Sequence, residues 1–299
     1  MARHSITVPY IPVMSVAATA LALLAFLCIQ PLGALQWRLL LPPPAPSLQR
    51  LLRVFALAST ANNGLNSVVG HAAATALVAR EPGVGAGPAV ALLILDQLVV
   101  GVVKLLVLAM AVMTVWRTQG AAGSWSAMAP VGAAVAALLL LLVAARTRSV
   151  LPAWLPPRLR GWLDPLHSAL RDPRAPRAVL RALPIGLCIR AMEALAVVAI
   201  QGALGLTVPL PQLPLFLAAT AVATLLPVIP ANLGTYEGAL VGAYLLAGVP
   251  MDQALPAAAL QHGCQLTAAI LPGLVIGTTT PLRLVTARLR AAGRHGRTE

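Results

Sequence analysis

The chain has 299 residues, of which 59% are hydrophobic and 10% are charged, and its mean hydropathy is +0.86. About a quarter of the residues of a soluble domain are charged, so this composition excludes a soluble globular protein. The net charge of +13 does not indicate nucleic-acid binding, because no aromatic or recognition-helix pattern accompanies it. The long apolar segments lack the alternation of barrel strands. We therefore expect an all-α polytopic membrane protein, a single domain over residues 1–299 with about 6–8 membrane helices.

The first apolar run covers residues 10–35. It is followed by Trp37, Arg38, Arg50 and Arg53. Cytoplasmic loops of membrane proteins are enriched in arginine and lysine, and tryptophan is enriched at the membrane interface. We therefore expect this span to end in the cytoplasm beside an interfacial tryptophan, with the N-terminus outside.

The second apolar run, residues 54–79, is interrupted at its centre by the sequence Asn-Asn-Gly-Leu-Asn. Arg53 and Arg80 flank the run, and a single crossing would place one of them on the outer side. We predict a broken, re-entrant hairpin, which keeps both arginines in the cytoplasm. The asparagines at its tip are Asn62, Asn63 and Asn66. They either satisfy the broken backbone or line a polar cavity for a headgroup.

Two further spans, at residues 88–116 and 127–145, complete a first helical half over residues 10–145. A loop at residues 146–181 carries eight arginines, and a tail at 280–299 carries five. Both are predicted to be cytoplasmic, with an amphipathic helix of the loop lying on the inner surface. Anionic lipid headgroups are the expected partners of the basic loop.

The second helical half covers residues 182–279. Spans at 182–204 and 254–278 enclose an apolar stretch at 215–247 that is broken around residues 227–237. This second hairpin enters from outside, so the two broken hairpins are expected in inverted orientation, as in many transport folds. Its halves, about sixteen residues each, leave both a re-entrant and a crossing arrangement open.

The segment at residues 227–237 places helix breakers, an aromatic residue and a carboxylic acid between apolar runs. A carboxylate in hydrocarbon costs about 2.5–3.5 kcal/mol even on the mildest scale, and backbone groups freed by proline need new partners. We therefore predict that this segment lines a cavity and binds substrate through Asn232, Tyr236 and Glu237. Glu237 is either a structural cap of the following helix or a cavity acid that binds a cation or takes up a proton.

Charged residues inside the other spans are further candidates. Arg190 and Glu193 are three residues apart on one helix face. They either form a structural ion pair or present Arg190 to a lipid phosphate. Asp96 and Lys104 are expected to meet partners on other helices.

His71 and His262 are single imidazoles in apolar helices. No Asp, Glu or Cys lies at ligand spacing, so hydrogen-bonded packing is the default for both, and no metal or other cofactor is expected. The three cysteines are expected to be unpaired core residues. No hydrolase or transferase motif is present, so we predict no enzyme activity and no catalytic residues.

Two sequence blocks of the second half resemble the pattern of a known family. The sequence Pro-x-x-Pro-Ala-Asn-x-Gly-x-x-Glu at 227–237 and Gly-Val-Pro at 248–250 are similar to a Pro-x-x-Gly-Gly-x-Gly-x-x-Glu and Gly-Val-Pro block. That block is typical of the lysylphosphatidylglycerol synthase transmembrane region, also called the flippase-like family. Trp-Arg-Leu-Leu at 37–40 and Asn-Asn at 62–63 resemble its upstream blocks. The resemblance covers roughly residues 10–280.

The chain departs from the family pattern at two acidic positions. The family's Gly-Glu pair reads Gly70-His71 here, and its Glu-Arg pair reads Asp96-Gln97. His71 therefore takes the position of an acid and is a candidate titrating group. The resemblance implies the lipid-handling membrane part without a soluble aminoacyl-transferase domain, and hence not lysyl transfer.

Two functions are consistent with the sequence. In the first, the protein moves a lipid or lipid-linked amphiphile between the leaflets of the bacterial inner membrane, with the hairpin tips sheltering the headgroup. Arg190 then attracts a phosphate, and Glu237 and His71 set charge or proton coupling. In the second, it is a non-transporting subunit that binds a lipid-modifying or envelope-biosynthesis enzyme through the basic loop.

Overall fold

The computed structural model describes residues 14–65, 67–119, 168–224 and 229–279. All regular secondary structure in these ranges is helical, which confirms the all-α prediction. The helices are α1 (Val16–Leu40), α2 (Leu48–Gly64), α3 (Ser67–Ala79), α4 (Ala86–Gln119), α5 (Ala175–Ala203), α6 (Leu213–Ala223), α7 (Thr235–Leu246) and α8 (Met251–Thr279). The predicted span at 127–145, most of the basic loop, the tail and Asn66 lie outside the described residues.

Within the described ranges, four helices are long and apolar enough to cross a membrane: α1, α4, α5 and α8. The first of them begins after Ser15, whose hydroxyl accepts a hydrogen bond from the Ala18 N–H, as N-cap serines do. It continues to Leu40, beyond the predicted end at residue 35. The helix stops there because prolines follow at positions 42–44 and cannot continue the ladder of hydrogen bonds.

The other four helices form two broken hairpins, α2–α3 and α6–α7. The first hairpin breaks at Leu65. The second contains a short 3-10 helix, Pro230–Asn232, in which Ala231 and Asn232 have left-handed φ angles of 56° and 54°. An L-residue in that region cannot continue a right-handed helix. The twelve residues of α7 are roughly 18 Å long, well short of the hydrocarbon thickness of about 30 Å.

The two hairpins enter the helical body from opposite ends. One apolar cluster joins the base of α2–α3 to the end of α1 and the starts of α4 and α5; it includes Leu40, Leu51, Val78, Ala89 and Ala175. A second cluster joins the base of α6–α7 to the distal parts of α4 and α5 and the start of α8; it includes Val107, Val197, Leu213, Ala247 and Ala254. The hairpin tips meet between these ends, where Pro230–Asn232 contacts α2. Re-entrant insertion into the bilayer stays a prediction.

A side chain of α1 replaces the hydrogen-bond donor that a proline removes from α8. Pro272 lacks an N–H and leaves the Ala268 carbonyl without its helical donor. The buried side chain of Gln30 supplies a donor instead, with its Nε2 3.1 Å from the Ala268 oxygen. In a membrane such a freed carbonyl must be satisfied by protein, so this contact ties α1 to α8 at the level of the proline.

Glycines allow three helix pairs to approach closely. The Phe55 ring of α2 packs on Gly33 of α1. The backbone of Gly70 on α3 faces Asn62, and Gly273 of α8 faces the backbone of α2. Small residues at helix crossings are a common means of helix association in lipid, because they permit close van der Waals packing.

Two predictions about apolar side chains are wrong. Trp37 does not face lipid at an interface: it is 4% exposed and packs edge-on against Phe55, with ring centroids 4.9 Å apart. Its helix continues past it, and the proline turn folds α2 against this ring. Cys28 and Cys188 are exposed, whereas Cys264 is buried. Apolar residues in a membrane helix need no protein core, because lipid is also an apolar environment.

A methyl group at position 273 would lie 2.6 Å from the Ala56 carbonyl oxygen. We expect Gly273→Ala to lower the free energy of unfolding by about 1–3 kcal/mol, because α2 and α8 must separate. Gly277→Ala is the matched control on the same helix, since a methyl group there meets nothing within 4 Å. Thermal unfolding in detergent compares the two variants. Equal melting temperatures would contradict the close approach of α2 and α8.

Candidate functional site

A polar cavity of about 300 Å³ lies between the tips of the two hairpins. All eight helices contribute to its wall. The apolar residues of the described wall are Phe26, Val100, Val197 and Leu217, and the other side chains there are polar. Because polar side chains are costly inside a membrane protein and mark functional pathways, this cavity is the candidate site for a polar ligand.

Most of the predicted site residues line this cavity. They are Asn62, Asn63, His71, Arg190, Glu193, Asn232 and Tyr236. Glu237 lies next to the wall, and Asn66 falls outside the described residues. The structure thus brings together side chains from both hairpins and from α5, although their role in binding stays a prediction.

The described wall carries an excess of positive charge. Arg190 forms an ion pair with Glu193 one helical turn away. The Nζ atom of Lys104 donates a hydrogen bond to Thr224 Oγ1 at 2.9 Å, and Thr224 donates in turn to the main chain of α6. No carboxylate among the described residues pairs with Lys104. Two basic side chains, Lys104 and Arg190, therefore face one carboxylate in this wall, which favours an anionic ligand.

The two asparagines of the first tip play different parts. Asn63 is fully engaged: its Nδ2 donates to the Ser59 carbonyl at 2.9 Å, and its Oδ1 accepts from Gln265 Nε2 at 3.1 Å. This residue ties the end of α2 to α8. In contrast, the Oδ1 atom of Asn62 is buried and has no hydrogen-bond partner among the residues that the structure describes. A buried carbonyl oxygen without a partner is costly, and the close packing of Asn62 on Gly70 of α3 covers this one.

Glu237 has the geometry of a structural cap of α7, the first of the two roles considered for it. It occupies the first turn of α7, where its Oε2 accepts from the Gly234 N–H at 2.7 Å. Its Oε1 lies 2.7 Å from Nδ1 of His262. The imidazole stacks on the Tyr236 ring with centroids 4.3 Å apart, and Tyr236 Oη accepts a hydrogen bond from Gln261. Both carboxylate oxygens are thus engaged, since Oε2 caps the start of α7 and Oε1 holds α7 against α8. Tyr236 forms the cavity wall beside them.

His71 lies between two cavities. Its Nδ1 is 2.6 Å from the Ser67 carbonyl oxygen, and because a carbonyl only accepts, Nδ1 carries a proton. A neighbouring cavity of about 160 Å³ is lined by His71 and Asp96. Asp96 accepts a hydrogen bond from Gln36 Nε2 on α1 at 2.8 Å, so it meets a partner on another helix as expected. His71 therefore forms part of the wall that the two cavities share.

Sequence reasoning missed several wall residues. Gln261, Gln265 and Thr224 were not singled out, and His262 was assigned no acidic partner. Glu237 and His262 are 25 residues apart, and only the packing of α7 on α8 brings them together. Glutamine in an apolar helix was the available signal, since such amides need partners in a membrane. Among the described residues, no group of three or more His, Cys, Asp or Glu could hold a metal ion.

We expect Glu237→Gln to lower the free energy of unfolding by about 1–3 kcal/mol. A glutamine amide offers one oxygen to two donors, so either Gly234 N–H or His262 Nδ1–H loses its acceptor. Glu81→Gln, in the turn after α3, removes the same charge outside this network. Thermal unfolding in detergent should show a lower melting temperature for Glu237→Gln and an unchanged one for Glu81→Gln. Equal destabilisation by both variants would show that only net charge matters.

Comparison with protein families gives a match over most of the chain. The family model described as "Lysylphosphatidylglycerol synthase TM region" matches residues 4–273. No curated protein and no solved structure matches the chain. The match covers most of the sequence and both hairpins, and it agrees with the four apolar helices of a multi-pass membrane protein. The chain belongs to the family of lysylphosphatidylglycerol synthase transmembrane regions.

Proposed function

We propose that this protein moves an anionic lipid or lipid-linked amphiphile between the leaflets of the bacterial inner membrane. The main support is the polar, net-cationic cavity between two hairpin tips that approach from opposite ends. Opposed broken helices around a central site are characteristic of transport folds. The family description names a phospholipid, which is consistent with a lipid substrate.

A lipid transporter must lower the free energy that a polar headgroup needs to cross the hydrocarbon of the bilayer. Charged groups are expensive in hydrocarbon, whereas acyl chains are not. In the proposed mechanism the headgroup occupies the cavity while its acyl chains stay in lipid. The Lys104 ammonium and the Arg190 guanidinium bind the phosphate oxygens through charge-assisted hydrogen bonds.

Glu193 has a second role in this proposal. It holds the Arg190 side chain in place and neutralises it when the cavity is empty. A phosphate that enters competes with Glu193 for the guanidinium, so binding stays weak enough for release. Glu237 acts indirectly, by positioning Tyr236 in the wall through His262. His71 is the group that we propose for proton exchange, because it lies in the wall at the family's acidic position.

The proposed orientation follows from the arginines. Arg38, Arg174 and Arg181 lie together at the end of the helical body that contains the base of the first hairpin. This end is cytoplasmic in the proposed topology, with the N-terminus outside and the tail inside. In the proposed mechanism the lipid is moved without a covalent reaction and without a cofactor.

Reconstitution into liposomes with a fluorescent phosphatidylglycerol tests the proposal. We expect Lys104→Gln to slow leaflet exchange roughly tenfold, because a charge-assisted hydrogen bond to the phosphate is lost. Lys104→Arg should retain most of the rate. Arg117→Gln is the matched control, since it removes a cation from the exposed end of the same helix. Exchange is measured as the fraction of the fluorophore that an impermeant reductant quenches over time.

An equal rate for Lys104→Gln and the native chain would refute the role of the cavity cations. No exchange above protein-free liposomes would reject translocation and favour the second candidate, a non-transporting subunit of a lipid-modifying or envelope-biosynthesis enzyme. In that case, neutral substitutions of the arginines between residues 158 and 181 should abolish its association with the enzyme, whereas Lys104→Gln should not.

A further inference from the structure

A second concave site lies far from the hairpin tips, at the end of the helical body where α1 and α5 meet. It is a groove of about 580 Å³ that shares no lining residue with the polar cavity. The arginines of this basic groove are Arg38, Arg174, Arg177 and Arg181. Its floor consists of apolar side chains, including Leu35, Leu39, Leu40 and Leu95. The groove therefore combines a cationic rim with a hydrophobic floor.

The positive charge of the basic groove is not neutralised within the described residues. Asp172 is the one carboxylate in its described lining, and this group already accepts a hydrogen bond from the Arg174 main-chain N–H at 2.8 Å. None of the four arginines forms an ion pair in the part of the chain that the structure describes. All four are exposed, so their guanidinium groups are available to an anion.

The spacing of the arginines places them on one side of the groove. Arg174, Arg177 and Arg181 follow one another by three and four residues at the start of α5, and such positions share a helix face. Arg38 faces them from the last turn of α1. A guanidinium presents paired N–H groups that match two oxygens of a phosphate. Four of them around one groove provide donors for two phosphate groups.

We propose that the basic groove binds a phospholipid with two phosphate groups, of the cardiolipin class, from the cytoplasmic leaflet. The apolar floor favours a lipid over a free phosphate, because it receives the glycerol backbone and the start of the acyl chains. Basic pockets between membrane helices on the cytoplasmic side suit such headgroups. A bound lipid would fix the end of α1 to the start of α5. This inference does not depend on translocation, since the two sites share no residue.

Native mass spectrometry of the delipidated protein in detergent tests the inference. Titration with cardiolipin, phosphatidylglycerol and phosphatidylcholine should give binding at least about tenfold tighter for cardiolipin than for phosphatidylglycerol, because each arginine near a lipid phosphate contributes roughly a fivefold increase in affinity. Phosphatidylcholine should bind weakest. Inorganic phosphate at millimolar concentration should leave cardiolipin bound.

A triple variant with Arg174→Gln, Arg177→Gln and Arg181→Gln should weaken cardiolipin binding at least about tenfold. The matched control carries Arg50→Gln, Arg53→Gln and Arg80→Gln, which removes three exposed arginines near the same end but outside the groove. We expect the control to keep its affinity within about twofold. A second variant with Arg174→Lys, Arg177→Lys and Arg181→Lys preserves charge and should give an intermediate loss of affinity. It tests the groove even if the glutamine variant does not fold.

Equal losses in the groove and control variants would overturn the inference, because charge alone would then explain binding. Displacement of cardiolipin by inorganic phosphate would also overturn it and indicate a site for a soluble anion. Equal affinity for cardiolipin and phosphatidylglycerol would reject the two-phosphate headgroup. The leaflet-exchange rate of the groove variant in phosphatidylcholine liposomes should be unchanged, so failure of this inference is distinct from failure of the proposed function.

Discussion

The constraint on which this fold depends is that every backbone N–H and C=O group placed within a membrane must find a partner in the protein. Several of these contacts involve α8. Its Ala268 carbonyl accepts from Gln30, its Ile270 carbonyl accepts from Thr60, and its Gln265 donates to Asn63. These three contacts fasten α1 and the first hairpin to one helix, while Glu237 and His262 fasten the second hairpin to the same helix. The two interrupted hairpins are thus both held by main-chain and side-chain groups of α8.

The cavity is a consequence of that arrangement. The breaks in the two hairpins leave a space between their tips, and the residues that face this space include polar groups beyond those needed for the backbone. Lys104 has a hydroxyl partner but no carboxylate in the described structure. The electrostatic character of the site therefore comes from groups that packing does not require. Glu237, although it is the most conspicuous acid of the sequence, belongs to the framework.

Local patterns in the sequence were sufficient to predict the helical class, the two breaks and the Arg190–Glu193 pair, because each depends on residues within a few positions of one another. The polar residues at the two breaks could also be predicted to share a cavity, since each of them is costly in lipid. Contacts between distant segments could not be derived in this way. The partners of Lys104 and Glu237 lie 120 and 25 residues away. The burial of Trp37 likewise depends on how the proline turn directs α2 onto α1.

The contact between Gln30 and the Ala268 carbonyl has a consequence for which sequences this fold accepts. A proline at position 272 is tolerable only while another donor serves the carbonyl that it leaves exposed. A glutamine at position 30 would in turn be an unnecessary polar group in an apolar helix if position 272 could donate for itself. The two sites are therefore epistatic: substitutions at one change the cost of substitutions at the other, and relatives are expected to retain or lose the proline and the amide together.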